Sequence, residues 1–188
     1  MHAAAALLAA GLLVGCGGKK TDTLMPEGAV ATNPAVVATA TPGNDSEYNS
    51  ACPTAGNRRR FAKTRFALHA GLALGAFHRY IYKPLRSGGF NAGAEGRKRA
   101  FVKAAIAGAF ALHELKVAKG FAAANPTLCK AVESVSNKFT ALTSKLKGGT
   151  ATPADVDAGK DSLNSLQQDA TKTGFPFKEQ NVTVPGAG

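Results

Sequence analysis

Apolar residues in this chain fall into four long segments with a helical repeat, separated by short polar or glycine-rich breaks. The first segment runs from Arg58 to Pro84 and is apolar on nearly every side of a 3.6-residue helix. A helix of this kind lies at the centre of a bundle or inside a membrane. A membrane span needs about 20 consecutive apolar residues, but the longest run here extends only from Phe66 to Phe77 and includes His69. The pattern therefore predicts a helix buried in protein.

Helix signals set the ends of the first two segments. Helix one is predicted to begin near Asn57, a candidate N-cap, and to end before Pro84. The linker LRSGGFNAGAEG follows, and its glycines and polar residues indicate a loop. Helix two is predicted from about Glu95 to Ala123. Gly71 and Gly75 of helix one match Ala104 and Gly108 of helix two in spacing, which predicts a close antiparallel hairpin. A merely Ala- and Gly-rich composition is the alternative explanation.

The last two segments carry clearer boundaries. Helix three is predicted from Pro126 to Lys147, with Asn125 as N-cap and Pro126 at the first helical position. Thr152-Pro153 repeats this cap-and-proline signal, so helix four is predicted from Pro153 to Thr173, with a C-cap at Gly174. The apolar repeat gives these positions as inward-facing: Leu128, Val132, Val135, Phe139, Leu142, Leu146, Val156, Leu163 and Leu166. Short connections favour neighbours that run antiparallel. The predicted fold is an all-α, four-helix bundle with up-down-up-down topology.

The N-terminal 51 residues have a different character. Residues 1–15 contain the apolar run AAAALLAAGLLVG, typical of an export signal, and Leu13-Val14-Gly15-Cys16 resembles the lipobox of bacterial lipoproteins. That resemblance implies lipidation of Cys16, cleavage before it, and anchorage at the outer face of the cell membrane. An ordinary cleaved signal or a chance cysteine is the alternative. Residues 16–51 are rich in Thr, Ala, Gly and Pro, which predicts a disordered tether with an end-to-end distance of about 30 Å.

The helical domain is expected to span residues 52–174, followed by a loose tail at 175–188 whose Phe175 and Phe177 could pack on the bundle. Cys52 and Cys129 are the other two cysteines. In an exported chain such a pair predicts a disulfide. A metal or redox pair is the alternative, but no CxxC spacing supports it.

Charge is concentrated in one part of the chain. The net charge is +11, and residues 57–103 hold all of this excess. If the first hairpin is antiparallel, one end of the molecule should gather an anion-binding patch made of Arg79, Lys83, Arg86, Arg97, Lys98, Arg99 and Lys103. Arg58, Arg59 and Arg60 should lie at the other end. Tolerating cations at a helix N-terminus, where they oppose the helix dipole, indicates anionic partners. A surface that merely keeps the protein soluble is the alternative.

Residues with catalytic or metal-binding chemistry are sparse. His69, His78 and His113 are candidate haem or metal ligands, but His69 and His78 lie about 180° apart around helix one. His113-Glu114 does not begin an HExxH motif, because Val117 occupies the second histidine position. Asp155, Asp157 and Asp161 lack the EF-hand pattern and fit the first turns of helix four. No nucleophile or phosphate-loop motif is present, so we expect neither enzymatic activity nor a cofactor.

The segments FHRYIYKPLRSGGF and GRKRAFVKAAIAGAFALHELKVAK resemble uncharacterised small secreted helical proteins of high-GC Gram-positive bacteria. The resemblance covers about 52–173 and implies neither an activity nor site residues. The sequence favours a non-enzymatic envelope lipoprotein whose basic hairpin binds an anionic lipid, an envelope polymer or an envelope protein, and not nucleic acid. A haem- or metal-binding carrier that uses the three histidines is the alternative.

Overall fold

The computed structural model describes residues 50–56 and 59–188. Within these residues the protein is all-α, with four helices and no strand. The predicted signal peptide, Cys16 and nearly all of the predicted tether lie outside the described residues. We number the helices α1 to α4. Helix α1 comprises Ala62–Phe77, a π-helical turn at His78–Tyr82 and a last turn at Lys83–Arg86; the others are α2 (Arg97–Ala122), α3 (Pro126–Lys147) and α4 (Pro153–Lys172).

Both ends of α1 differ from the prediction. The helix begins at Ala62, after Phe61 in a left-handed conformation with φ 58°, and Asn57 lies outside the described residues. It also continues through Pro84 to Arg86. A proline ring in a regular helix clashes with the carbonyl four residues earlier. The wider π-helical turn, in which the Lys83 amide bonds the His78 carbonyl, comes directly before it and gives this ring room.

Helix α1 is buried in protein, as its apolar pattern predicts. Phe66, Ala70, Phe77 and Ile81 are all fully buried. In the described part of the chain, no helix is both long enough and apolar enough to cross a membrane. Phe66 makes edge-to-face contacts with two phenylalanines of the C-terminal segment, and Phe77 makes one with Phe139 of α3. Aromatic pairs of this geometry stabilise by about 0.5–1.5 kcal/mol each.

Helices α3 and α4 match their predicted N-caps and inward faces, although α4 ends at Lys172 with Thr173, not Gly174, as its C-cap. The Asn125 side chain accepts from the Leu128 amide, and Pro126 occupies the first turn. At the start of α4, Thr152 and Asp155 form a capping box. All nine apolar positions predicted to face inward in these two helices are buried. The amphipathic repeat and the N-cap signals were therefore sufficient for this half of the bundle.

Sequential helices run antiparallel, which confirms the up-down-up-down topology. Three polar pairs each join one half of a helix to the opposite half of the next helix: His69–Glu114, Lys119–Glu133 and Lys145–Asp155. Helix α4 closes the bundle against α1, because the Arg86 guanidinium lies 3.4 Å from the Asp157 carboxylate. The end of α1, the start of α2, the end of α3 and the start of α4 therefore share one end of the molecule.

The C-terminal segment, residues 175–188, is packed on the bundle. Phe175 and Phe177 do pack there, but the prediction of a loose tail is wrong. Phe175, Phe177, Val184 and Ala187 are buried. The Gln180 amide donates to the Gly71 carbonyl of α1 over 3.0 Å. The segment runs along α1 from Phe66 towards Tyr80, whose hydroxyl accepts from the Val184 amide. We call residues 175–188 the C-terminal strap.

Gly71 and Gly75 contact this strap, which corrects the predicted glycine-to-glycine hairpin. A Cβ on Gly71 would lie 2.4 Å from the Lys178 carbonyl oxygen, and one on Gly75 would lie 1.9 Å from that of Gln180. Gly108 of α2 faces α3, where its Cβ would meet Thr143. Helices α1 and α2 do pack as a hairpin, but the glycines serve contacts with other elements that are distant in sequence.

The predicted disulfide joins Cys52 to Cys129, with a Cα–Cα distance of 5.7 Å. Cys129 is buried near the start of α3, whereas Cys52 belongs to the short non-helical stretch that precedes α1. In the same stretch, Gly56 lies against the Ala124 carbonyl between α2 and α3. The bridge thus fixes the N-terminal side of the domain to the α2–α3 turn.

The capping box gives the domain a specific acid sensitivity. The hydrogen bond from Lys145, followed by those from the Thr152 amide and hydroxyl, lowers the pKa of Asp155 from 3.8 to about 2. A carboxyl with a lowered pKa stabilises the fold above its unfolded pKa, and this contribution disappears as the pH falls through about 2.

We expect Asp155→Asn to cost about 1 kcal/mol of unfolding free energy at neutral pH, because a capping partner is lost. The difference from the parent should shrink as the pH falls from about 4 to 2, since the parent then loses the same charge. Urea unfolding of both proteins across this pH range measures the difference in unfolding free energy. Asp161→Asn, at an exposed α4 position, is the matched control and should change little. A deficit for Asp155→Asn that is independent of pH would contradict the assignment.

Candidate functional site

The shared end of the four helices carries most of the predicted anion-binding residues. Lys83 and Arg86 end α1, and the residues from Arg97 to Lys103 form the first two turns of α2. The loop between them turns back at three glycines with positive φ, among them Gly96 at the N-cap of α2. We call the following set the basic end: Lys83, Arg86, Arg97, Lys98, Arg99 and Lys103.

Three of the seven predicted cations are held by groups of the protein itself. Arg79 donates to the Val182 carbonyl of the strap over 3.1 Å. Arg86 donates to the Tyr82 hydroxyl and pairs with Asp157. Because these residues already use part of their hydrogen-bonding capacity inside the fold, they are less available to bind an external anion.

Arg97 is the most firmly placed of the three. Its Nε donates to the Phe90 carbonyl over 3.0 Å, and one terminal nitrogen donates to the Gly149 carbonyl over 3.3 Å. The guanidinium also lies 4.8 Å from the centre of the Phe101 ring, within cation–π range. Arg97 therefore links the α1–α2 loop, α2 and the end of α3 while it remains charged at the surface.

The other four cations have no charged partner among the described residues. Lys83, Lys98 and Arg99 are exposed, and Lys103 is half-buried. Lys98 and Arg99 lie in the first turn of α2, which has neither a side-chain cap nor an acidic residue. Cations there oppose the helix dipole by about 0.3–1 kcal/mol each. An external anion would offset this cost, so the surface is better suited to an anionic partner than to water alone.

Sequence reasoning missed three lysines that the fold brings to the same end. Lys147 is exposed in the last turn of α3, and Lys145 pairs there with Asp155. Lys160 of α4 lies 5.1 Å from the Tyr82 ring centre. The hydrogen bond with Arg86, followed by that with Lys160, lowers the pKa of the Tyr82 hydroxyl. The predicted up-down-up-down topology already implied that the end of α3 and the first half of α4 lie near this end of the bundle.

Two of the three candidate histidine ligands, His69 and His78, occupy separate places. His69 Nδ1 lies 2.6 Å from a carboxylate oxygen of buried Glu114, and its ring stacks on Phe121. His78 Nδ1 lies 2.7 Å from a carboxylate oxygen of Glu179 on the strap. Among the described residues, no group of three His, Cys, Asp or Glu side chains is arranged to hold a metal ion. His69 and His78 instead connect α1 to other elements of the fold.

The opposite end of the bundle has its own cations. Arg59 and Arg60 are exposed there, next to Phe61, whereas Arg58 lies outside the described residues. Phe61 is 68% exposed, with the Arg60 guanidinium 5.9 Å from its ring centre. A bulky residue in the left-handed region costs roughly 1–2 kcal/mol.

Known proteins offer no template for this site. No family model, curated protein or solved structure matches the chain. A function must therefore be inferred from the chain's own residues. The described feature with the clearest chemical preference is the basic end, where cations without charged partners surround the uncapped start of α2.

Proposed function

We propose that this protein is a non-enzymatic lipoprotein of the cell envelope, anchored through Cys16 at the outer face of the membrane. Its basic end binds the anionic lipid surface to which the chain is tethered. The observation that carries the proposal is the set of four cations, Lys83, Lys98, Arg99 and Lys103, which have no charged partner among the described residues. Each cation near an anionic leaflet contributes about 1 kcal/mol of binding free energy.

The predicted tether is long enough for this contact. Cys52 is fixed at the end of the domain opposite the basic end, so the domain must tilt or turn over to reach the membrane. Helix α1, over residues 62–86, is roughly 37 Å long. Residues 16–51 could span at most about 120 Å when fully extended. The basic end can therefore reach the leaflet that holds the lipid anchor.

Removing three cations of the basic end should abolish most of the membrane affinity. We expect the triple substitution Lys98→Gln, Arg99→Gln and Lys103→Gln to weaken binding to anionic vesicles about a hundredfold, at about 1 kcal/mol per charge. Arg97 is left intact because its backbone contacts make it structural. Vesicle co-sedimentation of residues 16–188 carrying Cys16→Ser measures the affinity without the lipid.

A second triple substitution provides the matched control. Lys130→Gln, Lys138→Gln and Lys172→Gln remove the same charge from exposed positions on α3 and α4. We expect this protein to keep nearly all of its affinity, and raised salt to weaken the parent through screening. Equal losses in both triples, or no binding of the parent to anionic vesicles at low salt, would refute the proposed function.

Lipidation of Cys16 has a separate test. We expect Cys16→Ala to remain unprocessed or to be released from the membrane, because the acylated sulfur supplies the anchor. Metabolic labelling with a fatty acid, followed by fractionation of the producing cells, measures both label and location. Label on Cys16→Ala, or equal membrane retention of a processed variant, would contradict the prediction.

A further inference from the structure

An apolar groove lies directly beside the basic end, between the first half of α2 and the end of α3. Its volume is about 630 Å³, within the range of about 300–1,000 Å³ that is usual for small-molecule sites. Gly148 and Gly149 lie at its edge. Its apolar lining consists of Phe101, Val102, Ala105, Ile106, Ala109 and Leu146.

Cations lie along the rim of this groove. Arg97, Lys98 and Lys147 are the only charged residues that line it among the described residues, and no acidic side chain does. The carbonyls of Phe90 and Gly149 hold the Arg97 guanidinium in place. Val102 inside the groove is 58% exposed. Covering this apolar side chain with a ligand would remove its surface from water, which is favourable. The groove thus matches a ligand with an aliphatic part and an anionic head.

We infer that the groove takes one acyl chain of an anionic phospholipid, with the lipid phosphate against Lys98 and Lys147 and beside the Arg97 guanidinium that the two carbonyls hold in place. This inference rests on the proposed function and names the ligand at the same surface. The lining is aliphatic apart from Phe101, and Ala105 and Ala109 leave space for a chain to lie along α2. A second copy of the protein is a poor occupant, because it would bring a net charge of +11 towards these cations.

A soluble single-chain lipid tests the groove apart from the membrane. The probe is myristoyl lysophosphatidylglycerol below its micelle concentration, titrated calorimetrically into residues 16–188 carrying Cys16→Ser. We expect it to bind at least tenfold more tightly than glycerol phosphate, because each buried methylene adds about fourfold in affinity. Equal affinity for the two ligands would overturn the inference. The neutral analogue lysophosphatidylcholine should bind more weakly than the anionic probe, and equal binding of these two would also overturn it.

Two groove variants locate the acyl chain. Ala109→Phe at an exposed position fills the groove, and Val102→Glu places a negative charge in it; each should lower lysolipid affinity at least tenfold. Ala154→Phe at an exposed position of α4 is the matched control and should bind like the parent. Circular dichroism verifies that each variant is folded. Unchanged lysolipid affinity in both groove variants would overturn the inference. Variants that change oligomeric state but bind lysolipid like the parent would also overturn it.

The groove and the basic end can fail separately. If anionic vesicles bind in a salt-dependent manner but the acyl chain adds no affinity, the groove inference is wrong and the proposed function stands. If lysolipid binds in the groove but vesicles are not bound, the proposed membrane contact is wrong. If neither ligand binds, both are wrong.

Discussion

Gly75→Ala is expected to detach the C-terminal strap from α1 and to destabilise the domain by about 3 kcal/mol, the upper end of typical overpacking costs. The added methyl group would lie 1.9 Å from the Gln180 carbonyl oxygen. Gln180 cannot shift alone, because its amide bonds the Gly71 carbonyl one turn away. The strap must therefore move as a unit and expose Val184, which is 2% exposed in the native fold. Urea unfolding measures the change.

Removing residues 178–188, the part of the strap that lies against Gly71 and Gly75, should reverse the sign of this effect. In a chain that lacks residues 178–188, a methyl group at position 75 meets no strap. Alanine is then the better helix residue, and Gly75→Ala should stabilise the shortened chain by about 0.5–1 kcal/mol. The shortened chain without the substitution is the control, and its own loss of stability reports what the strap contributes. A similar destabilisation by Gly75→Ala in both backgrounds would show that the close contact with Gln180 is not its cause.

Loss of the Cys52–Cys129 disulfide is expected to have the second large effect. The two cysteines are 77 residues apart, and a loop of this length predicts about 4.5 kcal/mol of stabilisation through the entropy of the unfolded chain. Measured values for native bridges are typically about 2–5 kcal/mol. We expect Cys52→Ala to lower the unfolding free energy by an amount in this range. Cys52 is the better site to replace, because Cys129 is buried and its loss would also leave a cavity.

Adding reductant separates the effect of losing the disulfide from the effect of replacing the Cys52 side chain. Reducing the parent should reproduce the instability of Cys52→Ala, and reductant should have no effect on the variant. Two reactive thiols in the non-reduced, denatured parent carrying Cys16→Ser would contradict the bridge. A parent whose unfolding midpoint is the same with and without reductant would show that the bridge does not stabilise the fold.

Local sequence signals specified the second half of the bundle better than the first. Asn125-Pro126 and Thr152-Pro153 are both a cap followed by a first-turn proline, and both mark the observed starts of α3 and α4. For α1, Asn57 as a candidate cap and Pro84 as a stop do not mark the observed ends. This helix begins at Ala62 without a side-chain cap, and its π-helical turn lets it pass Pro84. Neither feature follows from the residues nearby.

Beyond Phe175 and Phe177, the course of the strap was not predictable for a different reason. Its backbone contacts join Gly71 and Gly75 to residues more than 100 positions away, and no periodic pattern in FPFKEQNVTVPGAG marks that partner. The glycines were recognised as a close-approach face, but the element that approaches was assigned to α2 instead of the strap. A single sequence can indicate that a helix face allows another element to come close. Which element packs there depends on the whole fold.

The candidate site was only partly visible in the sequence for the same reason. The cations of the α1–α2 hairpin stand out as a cluster, because they are close along the chain. Lys147 joins them only because α3 ends at the same end of the bundle. The commitment of Arg79 to the strap and of Arg97 to two backbone carbonyls depends on tertiary contacts. These contacts decide which cations remain available to a partner.

Lysine acetylation on vesicles tests most directly whether the basic end is the surface that meets an anionic membrane. The acetylation rate of each lysine is measured by mass spectrometry, for residues 16–188 carrying Cys16→Ser on anionic and on neutral vesicles. We predict that the anionic surface slows acetylation of Lys83, Lys98 and Lys103 and leaves Lys130 and Lys138, exposed on α3, unchanged. Uniform slowing of all five lysines, or selective slowing of Lys130 and Lys138, would contradict the proposed orientation and the function that depends on it.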